Sequence, residues 1–572
     1  MTEQKTRYIF VSGGVLSGLG KGVVAASLGN LIQGRGYKVG VIKCENYINI
    51  DSGTINPIEH GDPFLCQDGL EADMDLGTYE RFLDQEMGHR NFTTMGQIYQ
   101  AVISRERSFG YHGEDVEAIP HVSDEIIERI KKAGEANDII IIELGGTAGE
   151  YQNMLYYEAC RIMKVQMPGR VLNVHVSYVP LPKHIGEPKT MPTQMSMRTV
   201  MSMGIIPEFL VLRSEANLDK RRRYLLGLKT SVLGDNVIMA PDLDSIYELP
   251  ILFAKQEFDK KILKFFNLHY NKPALGEWAK LVRTIKSEKK KAVEIVIAGK
   301  YISTGDYELL DSYASLIEAV KHACWHLRVK LNLRFVNTED VERDGAKIIK
   351  KPDGIIVPIG WGARGAEGKI LAIQYAREKK IPYLGLCYGM QLACVEFARH
   401  VVGLKEASSE EINPETPDAI IHSIPMDSKY QVIKGDGVSM RLGAYDCYLK
   451  ENTLAGFIYL KHNKGEVLSE NQKTKEKIKA PGNIRISERH RHRYEFNNTY
   501  RQILEDKGMI ISGTSPDDFF VEMIELPKAM HPFFIGTQGH PEYKSRPLQP
   551  HPLFVEFIKA SLKTGRKNKV VS

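Results

Sequence analysis

The chain alternates short apolar runs with longer segments of helical spacing, a pattern typical of parallel sheets flanked by helices. Tyr8-Ile9-Phe10-Val11 and 139–142 are uninterrupted apolar runs of strand length. Segment 23–33 has helical spacing and ends before a glycine. The alternation resumes with a strand-like run at 293–298 and a predicted helix over 311–327. Further strands are predicted at 39–43, 210–214, 237–240, 354–357, 381–386 and 533–535.

Polarity rises between the two halves of this pattern, through the lysine-rich stretch 280–291. A chain of 572 residues is too long for one hydrophobic core, and a charged run between two apolar patterns is typical of a linker. The pattern predicts an α/β protein with two domains, each built on a mostly parallel sheet flanked by helices. We place the first domain at 1–278, the linker at 279–292, the second domain at 293–565 and a tail at 566–572.

The composition speaks against nucleic-acid-binding, disulfide-rich and membrane-spanning proteins. The chain has 76 basic and 71 acidic residues and a net charge of +5, so no general nucleic-acid surface is expected. The seven cysteines are irregularly spaced and include no Cys-x-x-Cys pair, which favours a reducing compartment over a disulfide framework. No apolar run approaches the length of a membrane span, and the first residues leave no room for a signal peptide. We expect a cytoplasmic protein without membrane or nucleic-acid partners.

The stretch Gly385-Leu386-Cys387-Tyr388-Gly389 follows a predicted strand and opens a helical segment. Cys387 is therefore predicted at a tight strand-to-helix turn, near the backbone N–H groups of a helix N-terminus. That position favours the thiolate, so Cys387 is a candidate nucleophile.

Two further segments supply what a thiol nucleophile needs. His540 and Glu542 follow the predicted strand 533–535, and a histidine base oriented by a carboxylate can activate a thiol. The glycine-rich turn 358–365 follows another predicted strand. Its backbone amides, with the amide of Tyr388, could hold an oxyanion.

A second candidate site lies near the N-terminus, where a predicted strand leads through a glycine-rich loop to Lys21 and a helix. This is the layout of a phosphate-binding loop, although Gly22 stands where Ser or Thr would bind magnesium. Lys43 and Glu143 end two other predicted strands, and ligands bind where the carboxyl ends of parallel strands meet. A loop without a hydroxyl needs carboxylates for Mg²⁺, here Glu143 together with Asp73 or Asp75.

The Cys…His-Pro-Glu pattern and the glycine-rich turn resemble the class I glutamine amidotransferase domain over roughly residues 293 to 565. The resemblance implies that Cys387 attacks the glutamine side-chain amide, His540 moves the proton, Glu542 orients His540, and ammonia leaves. Ile359 departs from the family, which has a glycine there. The implied oxyanion and glutamine-binding residues are Gly360, Tyr388, Gln391, Glu410 and Arg493.

The first half resembles the CTP synthase family. The resemblance depends on the loop 13–22, Lys43, 47–49, His60-Gly61, 75–77, 79–82, 91–94, 143–147 and 189–194. It implies ATP-dependent amination of UTP to CTP through a UTP phosphorylated at the 4-oxygen, with Mg²⁺ and no organic prosthetic group.

The resemblance also implies individual binding residues. For ATP they are Ser17, Gly18, Leu19, Gly20, Lys21, Gly22, Lys43 and Asp75. For UTP and CTP they are Ser17, Glu150, Lys189, Thr190, Gln194 and Arg223. Asp75 and Glu143 would hold the metal, and His60 would lie near the end of an enclosed ammonia passage.

Family membership would further imply a homotetramer, filament assembly, activation by GTP and feedback inhibition by CTP. L-Glutamine would be the nitrogen donor. One departure bears on the activator: Ala314 follows Tyr313 where the family often has a lysine thought to matter for GTP.

Two other functions remain open on sequence alone. The first is a cobyric-acid-type synthase, which joins a similar ATPase-like domain to a glutaminase, but the stretch 189–194 would not be expected there. The second is a non-enzymatic nucleotide-switched protein that forms filaments or partitions DNA. An intact set of Cys387, His540 and Glu542 speaks against it, because a scaffold has no need for these residues.

Overall fold

A computed structural model describes residues 6–55, 61, 63–184, 186–272, 275–300, 303–304, 307–308, 310–425, 432–434 and 438–570. His60 lies outside the described residues. The chain divides into two compact units, the first comprising Met1–Ile55 and Ala72–Lys286, the second Asn56–Glu71 and Ser287–Ser572. The predicted α/β class with two sheet-based domains is confirmed.

The strands are β1 (Arg7–Gly14), β2 (Val39–Glu45), β3 (Phe64–Leu65), β4 (Glu71–Ala72), β5 (Phe92–Thr94), β6 (Ile139–Leu144), β7 (Val171–Tyr178), β8 (Phe209–Ser214), β9 (Val237–Pro241), β10 (Ala292–Gly299), β11 (Ser303–Thr304), β12 (Tyr307–Glu308), β13 (Lys330–Asn337), β14 (Gly354–Val357), β15 (Tyr383–Leu386), β16 (Ser408–Ser409), β17 (Ala419–Ser423), β18 (Val432–Lys434), β19 (Val438–Leu449), β20 (Glu466–Val467), β21 (Ile484–His492), β22 (Tyr494–Phe496), β23 (Ile510–Thr514), β24 (Val521–Glu525) and β25 (Phe534–Thr537).

The α-helices are α1 (Lys21–Gln33), α2 (Asp75–Leu83), α3 (Met95–Arg107), α4 (Ser123–Gly134), α5 (Met154–Gln166), α6 (Met191–Ser202), α7 (Lys220–Lys229), α8 (Leu249–Lys255), α9 (Phe258–Phe265), α10 (Gly276–Lys286), α11 (Ala314–His326), α12 (Thr338–Asp344), α13 (Ala366–Glu378), α14 (Tyr388–Phe397), α15 (Leu454–Lys461), α16 (Glu470–Glu476), α17 (Arg501–Asp506) and α18 (Pro552–Val570).

The first unit contains a seven-stranded sheet in the order β5-β2-β6-β1-β7-β8-β9. Its neighbouring strands are parallel, so the carboxyl ends of all of them lie along one edge. The apolar runs form its buried centre: Ile139 to Ile142 are fully buried. The phosphate-loop candidate, Lys43 and Glu143 all follow or end strands at this carboxyl edge.

The second unit contains a larger sheet in the order β13-β10-β14-β15-β25-β24-β23-β19-β21-β20. The strands from β13 to β25 are parallel, and those from β25 to β20 are antiparallel. Apolar clusters cover both faces of the parallel part. The antiparallel extension was not predicted; its long strand β21 is rich in charged and histidine residues, a composition atypical of a buried strand.

A short segment from the N-terminal half of the sequence belongs to the second unit. Arg489 donates a hydrogen bond to the carbonyl oxygen of Leu65 at 2.8 Å, and the amide of Ala444 donates to that of Gln67 at 2.9 Å. A Cβ on Gly443 would lie 2.8 Å from the backbone nitrogen of Gly69, so glycine is required for this close approach. The predicted first domain, 1–278, therefore includes a segment that belongs to the second unit.

The predicted linker also differs from the structure at its start. Helix α10 continues to Lys286 and belongs to the first unit. Trp278 is buried; its indole donates to the carbonyl oxygen of Tyr247 at 2.8 Å and packs on the ring of Phe82, with ring centroids 5.2 Å apart. Of the charged residues that suggested a linker, Lys280, Arg283 and Lys286 lie on the exposed face of this amphipathic helix, and those at 288–291 lie between α10 and β10.

At the C-terminus, helix α18 runs to Val570 and so continues into the predicted tail. None of the described helices is both long and apolar enough to cross a membrane.

Trp278→Ala should lower the free energy of unfolding of the first unit by about 3 to 5 kcal/mol, because it removes a buried indole and leaves a cavity. Lys280→Ala is the matched control on the same helix, since its side chain is exposed and pairs with the exposed Glu277; a change within about 0.5 kcal/mol is expected. Urea titration followed by hydrogen exchange of the strands of the first unit measures both. Equal losses of unfolding free energy in Trp278→Ala and Lys280→Ala would contradict the buried position of Trp278.

Candidate active sites

Cys387 occupies the turn between β15 and α14. Its backbone φ is 51°, a conformation that is strained for a residue other than glycine and recurs at nucleophile turns. The amide of Cys387 donates to the carbonyl oxygen of Thr537 at 2.7 Å, which fixes the turn to β25. A Cβ on Gly389 would lie 2.0 Å from the carbonyl oxygen of Val357, so the helix can start this close to β14 only with glycine there.

His540 is fully buried between the thiol and a carboxylate. Its Nδ1 lies 2.8 Å from Glu542 Oε1, and its ring is close enough to Cys387 for the two groups to interact electrostatically. Burial alone would lower the pKa of His540, but the charges of Glu542 and Cys387 raise it to about 10. The ring of His540 is therefore protonated at neutral pH, and its positive charge lies beside the sulfur atom of Cys387.

Two more groups surround the sulfur atom. Gln538 Nε2 lies 3.5 Å from Cys387 Sγ, and the carbonyl oxygen of Arg491 lies 3.7 Å from it. Gln391 Nε2 donates to Gln538 Oε1 at 3.1 Å and to the carbonyl oxygen of Tyr494 at 2.8 Å. Gln391 thus orients Gln538. Sequence reasoning missed Gln538, although it stands two residues before His540 in the loop after β25.

A buried lysine holds the glycine-rich turn after β14. Lys369 is fully buried, and its ammonium nitrogen donates to the carbonyl oxygens of Pro358 at 2.8 Å and Ile359 at 3.1 Å. The N–H and C=O of a trans peptide point in opposite directions, so the N–H of Gly360 points away from Lys369. Burial, with the nearby charge of Lys300, lowers the pKa of Lys369 well below its usual value.

The carboxylate beside this turn is Glu411, not Glu410. Glu411 Oε1 accepts the N–H of Gly362 at 2.6 Å. Burial raises the pKa of Glu411, and the positive charges of Lys300 and Arg493 act in the opposite direction. Glu410 instead accepts the N–H of Ser423 at 2.8 Å. Adjacent residues of an irregular turn project in different directions, which explains why the expectation for Glu410 differs from the structure.

In the first unit, Gly20 adopts φ 85° immediately before helix α1. Lys21, the first residue of that helix, donates to the carbonyl oxygen of Gly146 at 2.6 Å. A Cβ on Gly22 would lie only 2.1 Å from Asp75 Oδ1. Gly22 therefore replaces the usual hydroxyl residue because the carboxylate of Asp75 occupies the adjacent space.

Lys43 joins the carboxylates at the carboxyl edge of the sheet. Its ammonium nitrogen lies 2.5 Å from Asp75 Oδ2, 2.7 Å from Glu143 Oε1 and 3.3 Å from Glu45 Oε1. Burial alone would lower the pKa of Lys43, but these carboxylates raise it well above its usual value. Burial also raises the pKa of Glu45 to about 7. Tyr79 donates a hydrogen bond to the second oxygen of Glu143.

The donor set suits Mg²⁺ although, among the described residues, no group of three or more His, Cys, Asp and Glu side chains forms a metal cluster. Asp75 and Glu143 direct oxygen atoms at the single ammonium of Lys43. Carboxylate oxygens are the ligands that Mg²⁺ prefers, and it usually shares one or two of them with substrate phosphates. The residues present fit a magnesium ion bound in that way.

The residues predicted to bind UTP are less closely grouped. Glu150 accepts hydrogen bonds from the N–H of Thr147 and from Asn46 Nδ2, both at 2.7 Å. Lys189 is partly exposed and pairs with Glu187, while Gln194 Nε2 donates to Thr190 Oγ1 at 3.0 Å. Ser17 and Gly18 are exposed in the loop before α1, and Leu19 is buried.

Arg223 lies in helix α7. It lines a pocket of about 290 Å³ with Lys220, Asp235 and Lys261, beside the residue that begins β9. Of the described residues 189–194, none lines that pocket.

A Cys-His-Glu triad on one α/β unit, and a glycine-rich phosphate loop with lysines and carboxylates beside it on the other, together define a glutamine-dependent amidotransferase joined to a nucleotide-using synthetase. Two family models match in that order: CTP synthase N-terminus over residues 7–268 and glutamine amidotransferase class-I over residues 308–560. The CTP synthase of Carboxydothermus hydrogenoformans is 45% identical, over 98% of this chain and 99% of its own. That of Thermococcus gammatolerans is 44% identical, over 97% and 98%. This chain belongs to the CTP synthase family.

The solved glutaminase domain of Trypanosoma brucei CTPS with bound acivicin is also similar, with 34% identity over 48% of this chain and 94% of that one, at a TM-score of 0.40. The chain is a ligase that makes CTP from UTP with nitrogen from glutamine. This outcome confirms the function expected from the sequence and excludes the cobyric-acid-type and non-enzymatic alternatives.

Glu542→Gln should slow alkylation of the thiol of Cys387 by iodoacetamide at pH 7 by roughly tenfold or more, because the change removes a charge that raises the pKa of His540. The midpoint of the alkylation rate against pH should move upwards, since the imidazolium that stabilises the thiolate forms less readily. Mass spectrometry of the labelled peptide measures the rate. Glu556→Gln, which alters only the pairs of Glu556 with Lys461, Lys559 and His462, should leave it unchanged. An unchanged midpoint in Glu542→Gln would contradict the triad.

Proposed function

We propose that Cys387, His540 and Glu542 hydrolyse glutamine and supply the ammonia. Cys387 Sγ attacks the side-chain carbonyl carbon of glutamine, and the carbon–nitrogen bond breaks as His540 gives its proton to the leaving nitrogen. Water then cleaves the thioester to release glutamate. The observation that supports this most directly is the short contact between His540 Nδ1 and Glu542 Oε1 beside the thiol.

The turn held by Lys369 would stabilise the tetrahedral intermediate. Its negative oxygen needs N–H donors that are fixed before the reaction begins. The N–H of Gly360 and that of Tyr388, at the start of α14, are the donors we assign. Lys369 fixes the first of them through the carbonyl oxygen of Ile359.

We assign the amino-acid end of glutamine to Glu411 and Arg493. Glu411 is a half-buried carboxylate beside the turn and would bind the ammonium group of glutamine. Arg493 lies close enough for its charge to act on Glu411, and would bind the carboxylate of glutamine. Glu411 replaces Glu410 in this role.

The first unit would carry out the transfer of phosphate from ATP to the 4-oxygen of UTP, after which ammonia displaces the phosphate. Lys21 and Lys43 would neutralise charge on the phosphates, as phosphoryl transfer requires. Asp75 and Glu143 would hold Mg²⁺, which supplies charge neutralisation at the phosphates when bound. The convergence of Lys43 on both carboxylates supports this assignment.

The segment Lys189–Gln194 with Ser17 and Glu150 is proposed to bind UTP, and CTP as feedback inhibitor. Arg223 lines a pocket to which residues 189–194 do not contribute, and we propose that it contacts UTP in the homotetramer that family membership suggests. GTP activation and filament assembly are proposed on the same basis. Ammonia would pass through an enclosed route with His60 near its end. The seven cysteines are unbridged, which supports a cytoplasmic location.

Cys387→Ala should abolish CTP formation with glutamine and leave formation with ammonium chloride unchanged, because only the nitrogen supply is lost. Lys21→Met should reduce both activities by on the order of a hundredfold, since it removes a charge at the transferred phosphate. Absorbance of CTP measures both. Cys394→Ala is the matched control for the thiol, because Cys394 is buried in α14 away from the triad. Loss of the ammonium-dependent activity in Cys387→Ala would contradict the assignment of glutamine hydrolysis to the second unit and of UTP amination to the first.

Glu411→Gln should raise the KM for glutamine by on the order of tenfold, because it removes the charge that pairs with the substrate's ammonium group. The new side chain can still accept the N–H of Gly362, so the turn stays in place. Glu410→Gln should change the KM by less than about twofold. Steady-state kinetics with glutamine as the varied substrate compares the two. A larger effect in Glu410→Gln would restore the assignment from sequence.

A further inference from the structure

A buried histidine in the first unit connects the phosphate loop to helix α6. His175 lies on β7 and is fully buried. Its Nδ1 is 2.9 Å from Ser12 Oγ, and its Nε2 is 2.7 Å from Ser196 Oγ. Ser12 pairs with His175 in the register of β1 and β7 and immediately precedes the glycines of the loop. Ser196 lies in α6, which begins directly after Thr190.

The loop and the helix also touch directly at this histidine. A Cβ on Gly14 would lie 1.6 Å from Ser196 Oγ and 3.2 Å from His175 Nε2. Any other residue at position 14 would therefore push the loop away from α6. The contact makes the position of the loop depend on the position of the helix.

The hydrogen bonds at His175 form a continuous chain. Ser12 also forms a hydrogen bond with Tyr157, so the chain runs from Tyr157 through Ser12 and His175 to Ser196. Burial and the charge of Lys21 lower the pKa of His175 to about 3, so the ring is neutral under assay conditions. A neutral ring donates from one nitrogen and accepts at the other, and a serine hydroxyl can match either role.

We propose that His175 is a positioning residue that couples the phosphate loop to the segment Lys189–Gln194. The inference depends on the proposed function, in which the loop binds ATP and that segment binds UTP. A ligand that fixes the loop also fixes Ser12, His175 and Ser196, and so lowers the cost of ordering the start of α6. By linkage, each nucleotide then tightens the binding of the other by the same factor.

The test uses the full-length protein, with a non-hydrolysable ATP analogue and UTP as probes. Calorimetry gives the Kd for UTP with and without the analogue, and the ratio of the two is the coupling. We expect the analogue to tighten UTP binding to the wild-type protein, and Ser196→Ala and His175→Leu each to reduce that ratio on the order of tenfold. When CTP formation is assayed with ammonium chloride, both variants should show a raised KM for UTP. Their kcat should change little, and the pH profile of kcat should not change.

Two further variants separate positioning from a general loss of packing. His175→Gln keeps an amide near the position of Nε2 and should retain more of the coupling than His175→Leu. Ser27→Ala is the matched control for Ser196→Ala: Ser27 is buried in α1, and its hydroxyl has no hydrogen-bond partner within the described chain. It should leave the coupling intact. Thermal unfolding of each variant establishes that it is folded.

An unchanged ratio in folded Ser196→Ala, or equal ratios in His175→Gln and His175→Leu, would overturn the proposal. Binding of both nucleotides to the wild-type protein without any tightening would overturn the coupling alone. If the wild-type protein binds neither nucleotide, the proposed function of the first unit is wrong and the coupling is wrong with it.

Discussion

The first unit depends on one buried ammonium group, that of Lys43, which holds three carboxylates together at the end of its sheet. Burying unpaired charges costs several kcal/mol each, so Asp75, Glu143 and Glu45 could not approach one another without it. The strand order makes the arrangement possible: β2 and β6 are neighbours, and Lys43 pairs with Glu143 in their register. The resulting site has fixed charges of both signs, which phosphoryl transfer needs before a nucleotide arrives.

In the second unit, the ion pair between His540 and Glu542 lies beside one buried thiol, that of Cys387. Burial raises the pKa of five other thiols, at Cys44, Cys160, Cys324, Cys394 and Cys447, so these remain protonated and unreactive. Cys387 is equally buried but lies beside His540, whose pKa is raised by Glu542 and by the thiol itself. The neighbouring histidine, rather than exposure, distinguishes Cys387, the proposed nucleophile, from these five cysteines.

The apolar runs were sufficient to predict the parallel sheets and the residues that end their strands, which is why Lys43 and Glu143 could be paired from sequence. The spacing left Asp73 and Asp75 open and only the family resemblance favoured Asp75, because the choice depends on where helix α2 starts: the amide of Asp75 donates to Asp73 Oδ1, and the carboxylate of Asp75 faces Lys43. Contacts between residues that are far apart in the sequence could not be predicted either. Lys369 has no local signal that it would cap the turn after β14, since a lysine in an amphipathic helix is usually exposed.

In the turn after β14, position 360 must be glycine for steric reasons, whereas position 359 can be isoleucine. The side chain of Ile359 is buried in the apolar cluster beneath the sheet, and its carbonyl oxygen is held by Lys369. A glycine at 359 is thus unnecessary, because the peptide is fixed from the carbonyl side. Position 360 is different: a Cβ there would lie 2.7 Å from Lys369 Nζ and 3.2 Å from the ring of Tyr388. The steric requirement for glycine therefore belongs to Gly360, whose N–H faces away from the lysine, and the family pattern can change at 359 without loss of the proposed oxyanion donor.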